Sequence, residues 1–184
     1  LGTLDDERAH ALALRQFEAA DNLTDAIGAL GALRDSDKPV RADLYARFEA
    51  RWRDEPLVLD KWFPLQAKSL RPDTLETVRG LIAHPRFNAR NPNRVRSLVG
   101  AFALGNFARF NARDGAGYAF VAEQVRMLDP MNPQLASTLA GAFNLWKRHG
   151  EPRRTAMQKC LQRIARTRSL SPDVSEVVTR ALSS

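Results

Sequence analysis

The stretch Asn91–Leu104, NPNRVRSLVGAFAL, returns 41 residues later as Asn132–Leu145, NPQLASTLAGAFNL, with seven of fourteen positions unchanged (Asn, Pro, Leu, Gly, Ala, Phe and Leu). Asn followed by Pro is a helix start. The Asn side chain accepts from the first orphan amides, and Pro at the first helical position gives up an N–H that had no partner. Val95, Leu98, Val99 and Phe102 then recur at i, i+3, i+4 and i+7, one apolar stripe on a helix. Gly100 and Gly141 fall mid-helix, where glycine costs about 1 kcal/mol relative to alanine. Matched glycines predict that another backbone packs closely at each. A unit of about 40 residues holding two helices is the mark of a helical solenoid.

The rest of the chain follows the same rhythm. Val40, Leu44, Phe48 and Trp52 lie four residues apart, and Pro39, Pro56, Pro72, Pro92, Pro133, Pro152 and Pro172 stand at or just before helical patterns. No stretch alternates as a strand does. The expected fold is all-α, an α-α superhelix of HEAT-like helical hairpins within one domain, 1–184. About ten helices are expected, near 5–20, 23–34, 39–53, 57–67, 73–83, 92–104, 117–128, 133–148, 152–167 and 173–182. Asn106–Gly117 is the longest irregular candidate, and Asp114-Gly115 reads as a turn. After Lys147-Arg148-His149, Gly150 is expected to take the left-handed conformation and Pro152 to start the next helix.

Composition narrows the chemistry. With 184 residues, 44% hydrophobic and 27% charged, the chain can bury a real core. No apolar run approaches the roughly 20 residues of a membrane span. The acidic start LGTLDDERAH has no apolar h-region, and Leu1 in place of Met points to a piece of a longer protein. The expected location is cytoplasmic. Cys160 alone allows neither an internal disulfide nor a thiolate zinc site, and His10, His84 and His149 are too scattered for a local metal motif. The net charge of +7 is uneven: residues 1–60 carry thirteen acids against eight bases, residues 61–184 eight acids against twenty bases. Between His84 and Arg113 stand six arginines and no acid. Such a field attracts anions of any kind.

Several candidates each admit two interpretations. With Asn91 as cap, Arg94 and Arg96 lie near the positive end of the helix dipole, where cations are disfavoured. On a helical wheel Arg96 stacks with Gly100 and Ala103, which leaves room beside a guanidinium; it is either an anion-binding group lining a groove or a structural arginine, paired or snorkelling. Arg148, Arg153, Arg154, Lys159, Arg163, Arg166 and Arg168 form a second basic cluster, a nucleic-acid footprint or a solvated face, without interleaved aromatics to stack bases. Trp62 and Phe63 are expected between helices, and Cys160 as a buried small hydrophobe. Asn22-Leu23-Thr24 has the form of a glycosylation triplet but lacks any sign of secretion. No nucleophile–base set, phosphate loop or carboxylate pair stands out.

DNLTDAIGAL (21–30), LVLDKWFPLQA (57–67), LETVRGLIAHPRF (75–87), NPNRVRSLVGAFA (91–103), DGAGYAFV (114–121) and NPQLAS (132–137) together resemble the C-terminal helical domain of bacterial aminopeptidase N. The likeness runs from near residue 15 to the end. It implies a zinc exopeptidase whose HExxH and GxMEN motifs lie in another domain, because this chain has neither. Zinc would be bound there, with no cofactor in this chain. The helical domain would close over the active-site cavity and present basic side chains to the downstream end of peptide substrates, inactive by itself. Carried over singly, Arg96 matches a cavity-facing arginine and Gln134 falls near the same wall. Thr138 stands where a relative has a second arginine, so a two-arginine clamp is not implied. The implied partners are the catalytic domain of the same chain and peptides, with no membrane. The alternative is a basic helical-repeat module that binds nucleic acid or an acidic protein partner. Self-association is expected if the chain is separated from upstream helices. A third possibility is a purely structural cap whose arginines dock onto the catalytic domain.

Overall fold

A computed structural model describes residues 7–183. The expected helical spans are found, except that 133–148 is α-helical only to Ala140 and then breaks into 3₁₀ turns, and no strand occurs among the described residues. The chain divides into two compact units, Leu1–Arg86 and Phe87–Ser184. The expectation for residues 5 and 6 lies outside the described residues.

The first unit holds α1 (Glu7–Ala19), α2 (Leu23–Ala32), α3 (Pro39–Trp52), α4 (Pro56–Ala67) and α5 (Thr74–Ile82). Asn22 caps α2 by accepting from the Asp25 amide, which gives the glycosylation-like triplet its structural role. Leu44 and Phe48 of the α3 stripe are fully buried, and Phe48 packs its ring 4.2 Å from Trp52. Trp62 and Phe63 lie between helices as expected. Their rings meet edge to face at 5.1 Å, and Trp62 Nε1 donates to the Tyr45 carbonyl. The Tyr45 hydroxyl donates to the Leu30 carbonyl. The α2–α3 and α4–α5 turns are locked together: Ser69 Oγ donates to the Arg34 carbonyl, Arg71 to the Ser36 carbonyl, and the Leu70 amide to the Asp35 carboxylate.

The second unit begins with α6 (Pro92–Val95), a π turn (Arg96–Gly100) and α7 (Ala101–Gly105). Then come α8 (Phe107–Phe110), α9 (Ala116–Leu128), α10 (Pro133–Ala140), 3₁₀ turns at Gly141–Phe143 and Trp146–Arg148, α11 (Arg153–Ala165) and α12 (Pro172–Ser183). Val95, Leu98, Val99 and Phe102 are all fully buried, as their spacing predicts. Phe102 packs edge to face on Phe120, and its repeat equivalent Phe143 on Phe110. Three residue pairs, joined by four hydrogen bonds, link turns one repeat apart. Arg126 reaches Thr167, Arg153 reaches the Asn111 carbonyl, and buried Asp129 accepts from both the amide and the hydroxyl of Ser171.

Four local expectations are corrected. No backbone from another helix packs against Gly100 or Gly141; a Cβ there would find only Arg96 Cβ and the Val95 carbonyl of its own turn, or the Asn144 side chain, at 3.7–3.9 Å. They mark instead the places where the helix leaves α geometry, a π turn in one copy and a 3₁₀ turn in the other. The Asn106–Gly117 segment contains α8, capped by Asn106, whose side chain accepts from the Arg109 amide. Gly150 does not have positive φ; Gly115, in the expected Asp114-Gly115 turn, does. Cys160 is part-buried rather than buried.

Candidate functional site

The two copies of the repeat start alike. The Asn91 side chain accepts from the Asn93 and Arg94 amides, and that of Asn132 from the Leu135 amide. The arginines then separate by exposure. Arg94 is buried, at 4%, in the position that Leu135 fills at 2% in the second copy. Arg96, two residues on, points its side chain to solvent. One of its guanidinium nitrogens, Nη1, donates to Asn93 Oδ1 at 3.3 Å. Sequence reasoning paired both arginines with the helix dipole; what divides them is which face of the turn each occupies.

Gln134 is exposed at the start of α10, and its carbonyl accepts from the hydroxyls of Ser137 and Thr138. By repeat position Gln134 is the counterpart of Asn93, and Ser137 of Arg96. Each candidate is thus seated in its own helical turn, Arg96 bonded to Asn93 and Gln134 to Ser137 and Thr138. Asn93 is the residue that sequence reasoning missed. The repeat offset, which sets it opposite Gln134, carried that signal.

The other basic residues divide into structural and exposed groups. Arg86 pairs with Asp54, Arg154 with Glu151, and Arg153 and Arg126 serve the inter-turn bonds described above. Lys159 and Arg163 lie exposed along α11 and Arg166 at its C-terminal cap, spaced as one face of a helix. Two hollows open in the first unit. One of about 460 Å³ is lined by Glu49, Arg53, His84, Pro85 and Arg86. Another of about 540 Å³ is lined by Asp35, Asp37, Leu70, Arg71, Pro72 and Asp73. Ion pairs line both: Arg53 faces Glu49, whose carboxylate also lies 3.8 Å from His84 Nε2, and Arg71 faces Asp73. The Arg71 hydrogen bond holds the Asp73 carboxyl below the usual range. Among the described residues no group of three or more His, Cys, Asp or Glu side chains could hold a metal ion. None of their helices is long and apolar enough to cross a membrane.

Over residues 1–183 the chain matches the family described as domain of unknown function (DUF3458_C) ARM repeats. The chain belongs to this ARM-repeat family. Its membership agrees with the all-helical architecture read from the repeat. Among its relatives, aminopeptidase N of Escherichia coli (strain K12) is 43% identical over 174 residues, 95% of this chain and 20% of its own length. Aminopeptidase N of Caulobacter vibrioides is 41% identical over 179 residues, 96% of this chain and 21% of its own. The crystal structure of Legionella pneumophila aminopeptidase A in complex with aspartic acid matches with a TM-score of 0.91 and 30% identity, covering 98% of this chain and 21% of that one. This ARM-repeat chain therefore spans about a fifth of the length of these relatives, in their C-terminal part.

Proposed function

We propose that the chain is the C-terminal helical cap of a zinc-dependent aminopeptidase that removes N-terminal residues from peptides in the bacterial cytoplasm. In this role it closes over the active-site cavity, contacts the catalytic part of the same enzyme and binds the downstream end of the substrate. It is inactive alone. Membership of the ARM-repeat family and the aminopeptidase relatives support the assignment to such an enzyme. Zinc and its chemistry are assigned to the rest of the enzyme, as the lack of an HExxH motif in this sequence suggests. A chain with a single cysteine also needs no oxidising compartment.

Arg96 is the observation that carries the substrate-binding half of the proposal. It is exposed, lies within an acid-free stretch, and commits Nη1 to Asn93, leaving the Nε–Nη2 edge open. That edge matches a carboxylate bidentately. Gln134 is proposed as a second, neutral contact. Arg96→Ala in the full-length enzyme is expected to raise KM for short peptides about tenfold or more, with a smaller loss in kcat. An unchanged KM removes the role.

Separated from its catalytic part, the chain exposes Phe107 at 75%, and Leu104 and Leu145 at equivalent repeat positions, which supports self-association. The exposed row Lys159, Arg163 and Arg166 favours a second use, docking of nucleic acid or an acidic protein face. Nucleic-acid binding through this row would weaken steeply with salt. Absence of binding at low salt removes that use.

A further inference from the structure

We infer that Asn93 is a positioning residue for Arg96, working together with the π turn Arg96–Gly100, and this inference rests on the proposal that Arg96 meets the substrate's carboxylate. The two copies of the repeat share half of their residues, yet they diverge at this turn. In the copy that carries the arginine, the Ala101 amide reaches back to the Arg96 carbonyl, the i−5 bond of a π turn. In the other copy the helix tightens into a 3₁₀ turn at Gly141. Ser137 stands at the Arg96 position there, and its hydroxyl folds back onto the Gln134 carbonyl. Such π turns interrupt α-helices disproportionately at functional positions.

Two neighbours then set the course of the arginine. On one side, a Cβ at Gly100 would lie 3.8 Å from Arg96 Cβ, so glycine leaves the space along the stem of the side chain empty. On the other, Asn93 Oδ1 accepts from Nη1, while the Asn93 backbone is itself held by its amide donating to Asn91 Oδ1 at 3.0 Å. The cap, Asn93 and Arg96 form a short relay from the backbone to the guanidinium. Fixing Nη1 removes freedom that the arginine would otherwise lose on binding, and leaves the Nε–Nη2 edge for the ligand.

The test compares a tripeptide with a free terminal carboxylate and the same tripeptide amide, in steady-state kinetics of the full-length enzyme. Arg96→Ala sets the scale by collapsing the preference for the free acid in kcat/KM. Asn93→Ala is expected to lower that preference about three- to tenfold. Asn93→Asp, which sets a competing carboxylate on Arg96, lowers it at least as far. In an Arg96→Ala background, Asn93→Ala adds nothing. The inference is overturned if Asn93→Ala weakens both substrates equally, as a merely structural residue would, or leaves the preference intact while Arg96→Ala abolishes it. If Arg96→Ala itself leaves the preference intact, the carboxylate role of Arg96 fails first and the inference falls with it.

Discussion

Gly117 lies against the backbone of Phe110, so closely that a Cβ in place of its hydrogen would stand 2.6 Å from the Phe110 carbonyl oxygen. The contact turns α9 back over α8 and brings Tyr118 onto Phe110, ring to ring at 5.0 Å. The Tyr118 hydroxyl then donates to Asn111 Oδ1. No side-chain rotation relieves a clash with backbone. Gly117→Ala is therefore expected to destabilise the protein by about 2–3 kcal/mol, measured by urea unfolding. Gly80, within α5, is the contrast, because nothing stands within 4 Å of a Cβ there. Gly80→Ala is expected to stabilise by about 0.5–1 kcal/mol. Equal effects at the two sites would discard the close approach at Gly117.

The tie between the turns of the first unit carries a pH dependence. Burial pushes the Asp35 carboxyl up, but hydrogen bonds from Arg34 and the Leu70 amide outweigh it and hold the carboxyl below its ordinary value of 3.8. A depressed carboxylate stabilises the folded state fully above the unfolded pKa, and that contribution is lost as pH falls through the folded value. The melting temperature should hold from neutral pH to about 5 and fall below about 4. Asp35→Asn should flatten part of that acid limb while lowering the melting temperature at pH 7. An acid limb identical in the variant would assign it to other carboxylates.

Cys160 offers a probe of the second unit. It lies part-buried in α11, and burial pushes its thiol up, against the opposing pull of Arg163. Only the thiolate alkylates readily. Iodoacetamide at pH 8 is expected to modify the folded chain several-fold more slowly than the chain in urea. Equal rates would mean that α11 opens freely.

The sequence made the helices legible because local rules and tertiary packing agree along most of the chain. Pro39, Pro56, Pro92, Pro133 and Pro172 each open a helix, and the caps at Asn91 and Asn132 work as their spacing predicts. What escaped depends on geometry that a wheel does not hold. Gly100 and Gly141 read as packing sites because an ideal α-helix offers no other reason for glycine at its centre. Once the helix departs from α, their role is in the backbone itself. Gly117, the true close approach, fell at the junction of the irregular segment and the expected helix from 117, and its partner Phe110 is fixed only by the chain reversal. At the candidate site, the sequence left Arg96 either lining a groove or held within the fold, and the structure turns it to solvent, whereas burial of Arg94 follows from the second copy, where Leu135 fills its place.

The ties from Asn111 to Arg153, Arg126 to Thr167 and Asp129 to Ser171 each bridge 41 or 42 residues. A single residue inserted or deleted between Asp129 and Arg153 would put all three out of step at once, and no change of side chain could restore them. Chain length in this stretch is therefore a structural constraint in its own right, beside the packing of the core. Drift in length has to be absorbed outside the bridged span, or arrive as a whole repeat.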